Sequence, residues 1–389
     1  MLLKLSAPGL QPLGRTSNRP FLGRVSERPE LSPGACGREV LLVKGAATLL
    51  PPGFRAYLVA AGASAIGERE DVYALAEPHG YLAEGDVVRI DPTRRTLTAL
   101  YRRSSSSNSL LVTERCDNFC LMCSQPPKDR DDSALVDELL EAVPLMSPET
   151  REIGITGGEP ALLGDRLVEL VEALRLHLPR TSVHILSNGR RFADAGFASR
   201  LAALRHPDLM VGIPLYGSLP EDHDYVVQAH GAFDETIRGI LNLRRAGVRV
   251  ELRVVVHSRT YRLLPQLASF IARNLLFVDH VALMGLELEG FARSHLELLW
   301  VEPAAYADEL VEAVEILTQA GLNTSIYNLQ LCVLPPALHP LARRSISDWK
   351  NRYFDECSTC SERGACCGFF ASANLRRPDG IRPILKDSP

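Results

Sequence analysis

The chain has 389 residues, 46% hydrophobic and 23% charged, enough apolar material for a sizeable core spread over two or three domains. Its formal net charge of −4 argues against a general nucleic-acid or membrane-surface binder, because phosphate binding rests on clustered positive charge; the pairs Arg102-Arg103, Arg343-Arg344 and Arg376-Arg377 read as solvated faces. No apolar run approaches the ~18 residues that span a bilayer, and Pro8 and Gly9 break the N-terminal Met-Leu-Leu-Lys before a signal segment can form, so a cytoplasmic location is expected.

Residues 1–107 carry frequent turn residues and short apolar runs such as Val40-Leu-Leu-Val43, the pattern of a small, mostly β N-terminal domain. The stretches 80–92 and 96–101 read as two strands joined by a polar turn. An exposed edge of this domain is an expected docking strand for a peptide. Cys36 stands alone and reads as a small buried hydrophobe. The serine run 104–108 reads as a flexible hinge.

From residue 109 short apolar runs alternate with stretches of helical period, the signature of βα units around a parallel sheet. Six strands are expected near 109–113, 152–156, 182–187, 209–215, 248–256 and 278–286. Helices are expected near 134–143, 166–176, 198–204, 234–245 and 264–272. Six units are too few for a closed eight-stranded barrel, so residues 108–300 predict a partial (β/α)6 TIM-type barrel with its active site at the C-terminal strand ends. A further helix is expected over 304–319, with Gly321 as its cap.

Directly after the first strand stands Cys116-Asp-Asn-Phe-Cys120-Leu-Met-Cys123. An iron–sulfur cube usually takes four Cys ligands, so three thiolates leave one iron open to a small molecule. S-adenosylmethionine (SAM) can chelate there and be cleaved reductively to a 5′-deoxyadenosyl radical. The competing readings are a zinc knuckle or a chance trio, but structural zinc wants a fourth Cys or His nearby. Nine cysteines in a reducing compartment read as metal ligands rather than disulfides.

Other motifs fall at strand ends. Thr156-Gly-Gly-Glu-Pro160 offers glycines for close backbone approach and Glu159 for a ligand ammonium, against the alternative of a tight turn. Ser187-Asn-Gly189 offers polar groups to a ribose, or is a common loop. Met284-Gly-Leu-Glu287 permits stacking of a flat base, or is a plain strand end. Arg253 matches a carboxylate bidentately, or faces solvent. Phe119 shields a cluster or simply packs. Tyr216 and the His223-Asp224-Tyr225 segment, read as a loop, either contact substrate or are solvated.

In this order and spacing these residues closely resemble the radical SAM superfamily over roughly 108–300. The resemblance implies that Cys116, Cys120 and Cys123 hold a [4Fe–4S] cluster, that Gly157, Gly158 and Glu159 recognise the SAM amino group, and that Ser187 and Asn188 meet the ribose. It also implies that Met284, Gly285 and Leu286 border the adenine, with Arg253 a carboxylate partner.

Beyond residue 300 a helical and Cys-rich module is expected over 301–389. There Cys332, Cys357, Cys360, Cys366 and Cys367 resemble the auxiliary-cluster modules of peptide-modifying radical SAM enzymes. Cys366 fits the spacing and Cys367 is an alternate ligand; a four-cysteine zinc site is the competing reading. Together with Asp86–Asp91, Asn108–Cys116, Ser325–Cys332, the stretch 345–351 and Cys366–Ser372, the chain resembles the His-Xaa-Ser system radical SAM maturase of the C type. This implies a maturase acting on a ribosomally made precursor peptide, beside a second radical SAM maturase and an electron donor such as flavodoxin or ferredoxin. The rivals are a radical SAM enzyme acting on a small molecule or a sulfatase-type protein, and a non-catalytic metal-binding scaffold.

Overall fold

The computed structural model describes residues 5–30, 37–45, 48–66, 69–76, 80–344 and 352–385. Cys36 and the stretch 345–351, both singled out above, lie outside the described residues.

The N-terminal part is a mixed eight-stranded sheet. It is built from β1 (Leu5–Pro8), β2 (Leu10–Pro12), β3 (Phe21–Ser26), β4 (Glu39–Val43), β6 (Ala56–Val59), β8 (Val72–Leu75), β9 (Val87–Asp91) and β10 (Thr96–Tyr101), while β5 (Thr48–Leu49) pairs with β7 (Ala65–Ile66). The order β1-β10-β9-β3-β4-β6-β8-β2 puts β1 and β2 at opposite edges, yet only Gly9 separates them in the chain. The sheet therefore curls shut on a single bent strand. Its interior is filled from all round by Leu10, Val25, Val40, Leu58, Tyr73, Ile90 and Leu97. β4 is buried on both faces, since Leu41 and Val43 pack outward with Leu50, Phe54 and Tyr57.

This closure corrects the expected docking edge: peptide addition needs a continuous unpaired strand, and among the described residues closure of the eight-stranded sheet leaves none of full length. The expected hinge is likewise a pinned turn. Asn108 Oδ1 accepts from Arg102 N at 2.9 Å and its Nδ2 donates to Arg102 O at 3.1 Å. Tyr101 Oη and Thr150 Oγ1, 2.7 Å apart, and an Arg89–Glu138 ion pair at 2.5 Å join this sheet to the next domain.

That domain is a seven-stranded, wholly parallel sheet in chain order: β11 (Asn108–Thr113), β12 (Glu152–Gly157), β13 (Ser182–Leu186), β14 (Leu209–Pro214), β15 (Arg249–Val256), β16 (His280–Gly285) and β17 (Thr324–Tyr327). β11 and β17 are its unjoined edges, so the TIM-type barrel stays open along one seam. The helices are α1 (Ala134–Ala142), α2 (Asp165–His177), α3 (Ala195–Ala203), α4 (Pro220–Val227), α5 (Ala232–Ala246), α6 (Leu264–Asn274), α7 (Phe291–Ser294), α8 (Leu296–Leu299) and α9 (Ala307–Gln319).

The seventh strand corrects the expected six and carries the sheet past residue 300. Its Thr324 and Ser325 are each 3% exposed, and a polar strand can be buried because its hydroxyls are bonded: Thr324 Oγ1 to Leu322 O at 3.2 Å, Ser325 Oγ to His280 Nε2 at 3.0 Å. α4 corrects the expected loop at 223–225. His223 is 1% exposed, not solvated, whereas Tyr225 on the same helix is 43% exposed.

Alternation along each strand separates two compartments. On β15, Val250, Leu252, Val254 and Val256 enter the core under the helices, while Arg249, Glu251, Arg253 and Val255 face the barrel interior. The apolar stripes that meet this core include Leu167, Leu170, Val171 and Leu174 of α2 and Leu310, Ala313, Val314 and Leu317 of α9. Among the described residues no helix is long and apolar enough to cross a membrane.

Candidate active site

The loop after β11 is fastened at its root. Thr113 Oγ1 and Glu114 N donate to Asp132 at 3.0 and 2.5 Å, and the Glu114 carboxylate pairs with Lys128 Nζ at 2.7 Å and with Arg130. Its middle is fastened too. Leu121 and Met122 sink into an apolar cluster with Tyr216, Val226, Val227 and Leu299, Phe119 N and Leu121 N donate to the end of α4, and Phe291 N donates to Cys123 O at 2.8 Å. Phe119 itself is 54% exposed, so its ring does not pack inside.

Cys116, Cys120 and Cys123 are all partly buried and free of disulfides. Burial raises all three thiols, Cys116 to about 12, and at Cys116 and Cys120 neighbouring negative groups add to the rise. Thiolates so placed need a cation beside them, which suits the loop to iron.

The two glycines after β12 serve the loop directly. Gly157 has φ +155, and a Cβ there would lie 2.2 Å from Thr113 O; one at Gly158 would lie 2.1 Å from Arg115 O. Only glycine lets these backbones meet, with Gly158 N donating to Thr113 O at 2.9 Å and Glu159 N to Arg115 O at 2.7 Å. The close approach expected for a ligand is thus first an approach to the cysteine loop's own main chain.

Glu159 differs from expectation. It is 1% exposed, and its carboxylate accepts from Ala161 N at 2.8 Å, Ser187 Oγ at 2.7 Å and Asn188 N at 2.5 Å. Burial raises it to about 7 against those three donors. The side chain organises the turn after β13 and does not line the cavity.

One cavity of about 820 Å³ brings the remaining residues together: Cys116, Cys120, Cys123, Gly157, Gly158, Ser187, Asn188, Arg253, Met284, Gly285 and Leu286 all line it. Arg253 points inward, settling its alternation, and donates to Glu251 Oε1 at 2.5 Å and Met284 Sδ at 3.3 Å. Gly285 is needed because a Cβ there would come 2.6 Å from Asn328 O. The cavity also reaches the strand beginnings at Glu152, Asp208 and Arg249.

Three groups deep in the barrel escaped the sequence reading. Glu251, 5% exposed, is hydrogen-bonded to His280 Nδ1 at 2.7 Å and lies 3.5 Å from His184 Nε2. Burial opposes its ionisation, but His280, Arg253 and His184 outweigh that and hold it to about 2. The same period of two that aims Arg253 inward aims Glu251 inward, so alternation could have found it.

The site fits an iron–sulfur cluster with a bound nucleoside. Its donor set is three partly buried thiols, and Asn118 Nδ2, on a cavity-lining residue, is a buried polar atom with no hydrogen-bond partner among the described residues.

In the tail, Gln330 Nε2 donates to Gly368 O at 2.8 Å, tying the turn that carries Cys332 to the last cysteines, and Tyr353 Oη donates to Cys366 O at 3.0 Å. Burial raises Cys332 and Cys357, and the thiols feel one another: Cys366 adds to both rises and Cys360 to that at Cys357. A hydrogen bond from Cys367 lowers Cys366 to about 6 despite burial. Among the described residues no group of three or more His, Cys, Asp or Glu converges tightly enough to hold a single metal ion; cluster thiolates each bind a different iron and stand apart.

Fold and site together define an open parallel α/β barrel with a three-thiol loop at the C-terminal mouth of its cavity. Residues 110–271 match the family model of the Radical SAM superfamily, and that stretch is a radical SAM domain, which implies a [4Fe–4S] cluster and SAM. The chain is similar to Fe-coproporphyrin III synthase of Methanosarcina barkeri, 28% identical over 169 residues that cover 41% of this chain and 39% of the relative. It therefore spans about two fifths of that relative's length.

Among solved structures, SuiB of Streptococcus suis bound to S-adenosylmethionine aligns at 15% identity and a TM-score of 0.44, covering 58% of this chain and 51% of SuiB. A radical SAM methyltransferase from Sphaerobacter thermophilus aligns at 15% and 0.44, covering 74% and 77%.

Proposed function

We propose that the protein is a radical SAM peptide maturase that modifies a ribosomally made precursor of the His-Xaa-Ser type in the cytoplasm. The observation that carries the enzyme reading is the meeting of the three-thiol loop, the Gly157-Gly158 strand end, Ser187, Asn188 and Arg253 on one cavity of about 820 Å³. When bound, the cluster and SAM supply a 5′-deoxyadenosyl radical that removes a hydrogen from an unactivated carbon. Cys116, Cys120 and Cys123 would hold the cluster. Carbonyls at Gly157 and Gly158 would take the SAM ammonium, Ser187 and Asn188 the ribose, Arg253 the carboxylate, and Met284 to Leu286 the adenine.

The peptide assignment rests on the subfamily resemblance and on the length of the cavity, which runs beyond those contacts to Glu152 and Asp208. Cys332, Cys357, Cys360 and Cys366 would hold an auxiliary [4Fe–4S] cluster able to take an electron from the product. Cys366, the thiol lowered by its neighbour, is favoured over Cys367 as fourth ligand. A second maturase and a flavodoxin or ferredoxin complete the expected partners.

The test is 5′-deoxyadenosine formation by anaerobically reconstituted, reduced protein, with and without the His/Ser-rich peptide encoded beside its gene and with Cys120→Ala as blank. Peptide-stimulated nucleoside absent from the blank supports the maturase. Nucleoside formation indifferent to peptide points to another substrate, and none above blank at full iron loading points to a scaffold. Iron should fall from about eight to about four per chain in the Cys357→Ala/Cys360→Ala double variant if the tail holds a four-iron cluster.

A further inference from the structure

Asp117 and Asn118 lie between the first two cysteines of the loop, and one side chain grips both. The Arg190 guanidinium, 16% exposed, donates from Nη1 to Asp117 O and to Asn118 Oδ1, each at 2.8 Å, and stands 3.4 Å from Asp117 Oδ2. Its Nε donates to Glu235 Oε2 on α5 at 2.6 Å. Asn188 adds a parallel tie, Nδ2 to Asp117 Oδ1 at 2.6 Å.

The seat of Arg190 is fixed by close backbone packing. Gly189 has φ +84, and a Cβ there would lie 2.9 Å from Ile213 Cγ2; a Cβ at Gly239 of α5 would lie 2.1 Å from Gly189 O. The turn and α5 thus meet main chain to main chain, and the guanidinium spans from the turn to the loop, with Nη1 on the loop and Nε on α5. It is a cation within reach of the Cys116 charge, and it pairs with two carboxylates, Asp117 inside the loop and Glu235 on α5.

Resting on the radical SAM reading above, we infer that Arg190 is a positioning residue for the cysteine loop and the cation that makes one-electron reduction there easier. Reduction takes one electron from a low-potential donor, a flavodoxin or ferredoxin in the cell and dithionite in the test, and adds one negative charge beside the loop. A nearby cation stabilises that added charge and a nearby carboxylate opposes it. Removing Arg190 leaves two carboxylates without their cation; removing the Glu235 charge leaves the cation less offset.

The experiment is an EPR-monitored redox titration of the full-length, anaerobically reconstituted protein, following the cluster signal that Cys120→Ala lacks. Arg190→Gln should lower the reduced-to-oxidised ratio at fixed potential about tenfold, a shift of ~59 mV to more negative values. Glu235→Gln should move it the opposite way. Arg190→Lys should stay nearer the parent potential while loading less iron, since it keeps the charge and loses the fork. A purely structural role would cut iron content without this opposition of sign.

Glu235→Gln titrating at the parent potential overturns the inference, and it decides alone if Arg190→Gln does not fold. A parent protein with no Cys120-dependent signal overturns the radical SAM reading and this inference with it, which unchanged potentials in a loaded protein would not do.

Discussion

At the scale of single residues, the site is held by groups that do not line its cavity. Glu159 is the clearest: Glu159→Ala would strand Ser187 Oγ, Asn188 N and Ala161 N without an acceptor. At ~1 kcal/mol for each lost bond, denaturant unfolding should show about 3 kcal/mol of lost stability, and equilibrium dialysis should show SAM affinity falling with it. Gly158→Ala would place a methyl 2.1 Å from Arg115 O, a backbone atom that cannot give way alone. Iron analysis after reconstitution should find the cysteine loop poorly loaded while the fold, followed by circular dichroism, survives. The three cysteines were legible because ligand spacing is local. The direction of Glu159 was not, because its partners Ser187 and Asn188 lie 28 and 29 residues away and only the meeting of β12 and β13 brings them to it.

At the scale of elements, six barrel strands could be read from their Val, Ile and Leu alternation, and the seventh could not. Thr324-Ser-Ile-Tyr327 shows little apolar pattern, and its burial depends on hydroxyl partners supplied by Leu322 and His280. α4 was missed for a related reason: Pro220-Glu-Asp-His-Asp-Tyr-Val-Val227 is polar for a helix that buries His223, Val226 and Val227. The consequence for domain limits is testable. A chain ending at residue 300 loses α9 and β17, exposing the faces that bury Leu310, Ala313, Val314 and Leu317. At roughly 1.5–3 kcal/mol for each large side chain no longer buried, it should fail to give a cooperative thermal transition, whereas a chain ending at 344 should melt cooperatively. A sharp transition in the shorter chain would show that β17 is an accessory to the sheet.

At the scale of the whole molecule, acid should be the weak direction. His223 and His257 are 1% and 0% exposed, and burial holds both down to about 4, opposed at His223 by Asp224 and aided at His257 by Arg259. Unfolded histidines titrate near 6.5. Between about pH 6.5 and pH 4 the unfolded chain therefore binds two protons at these histidines that the folded chain refuses, a contribution that lowers stability by up to ~2.7 kcal/mol per pH unit; His184, also held down to about 4 by burial, adds to it, and Glu159, raised by burial to about 7, takes up its proton in the folded chain first and opposes it. Urea unfolding across that window should show the slope, and His257→Gln should lessen it by up to ~1.4 kcal/mol per pH unit; an unchanged slope would place the acid sensitivity elsewhere.

The single bent strand that closes the N-terminal sheet has a kinetic side. Leu5 pairs with Ala99 and Leu10 with Leu75, so both closing contacts join the first residues of the domain to some of its last. Loop closure over such separations is slow, and although β2 can meet β8 earlier, the sheet cannot finish closing on the ribosome until β10 has emerged. Until then the nascent domain keeps an unpaired edge and is at its most prone to pairing with a neighbour; afterwards residues 5–12 act as a latch whose loss would open two edges at once.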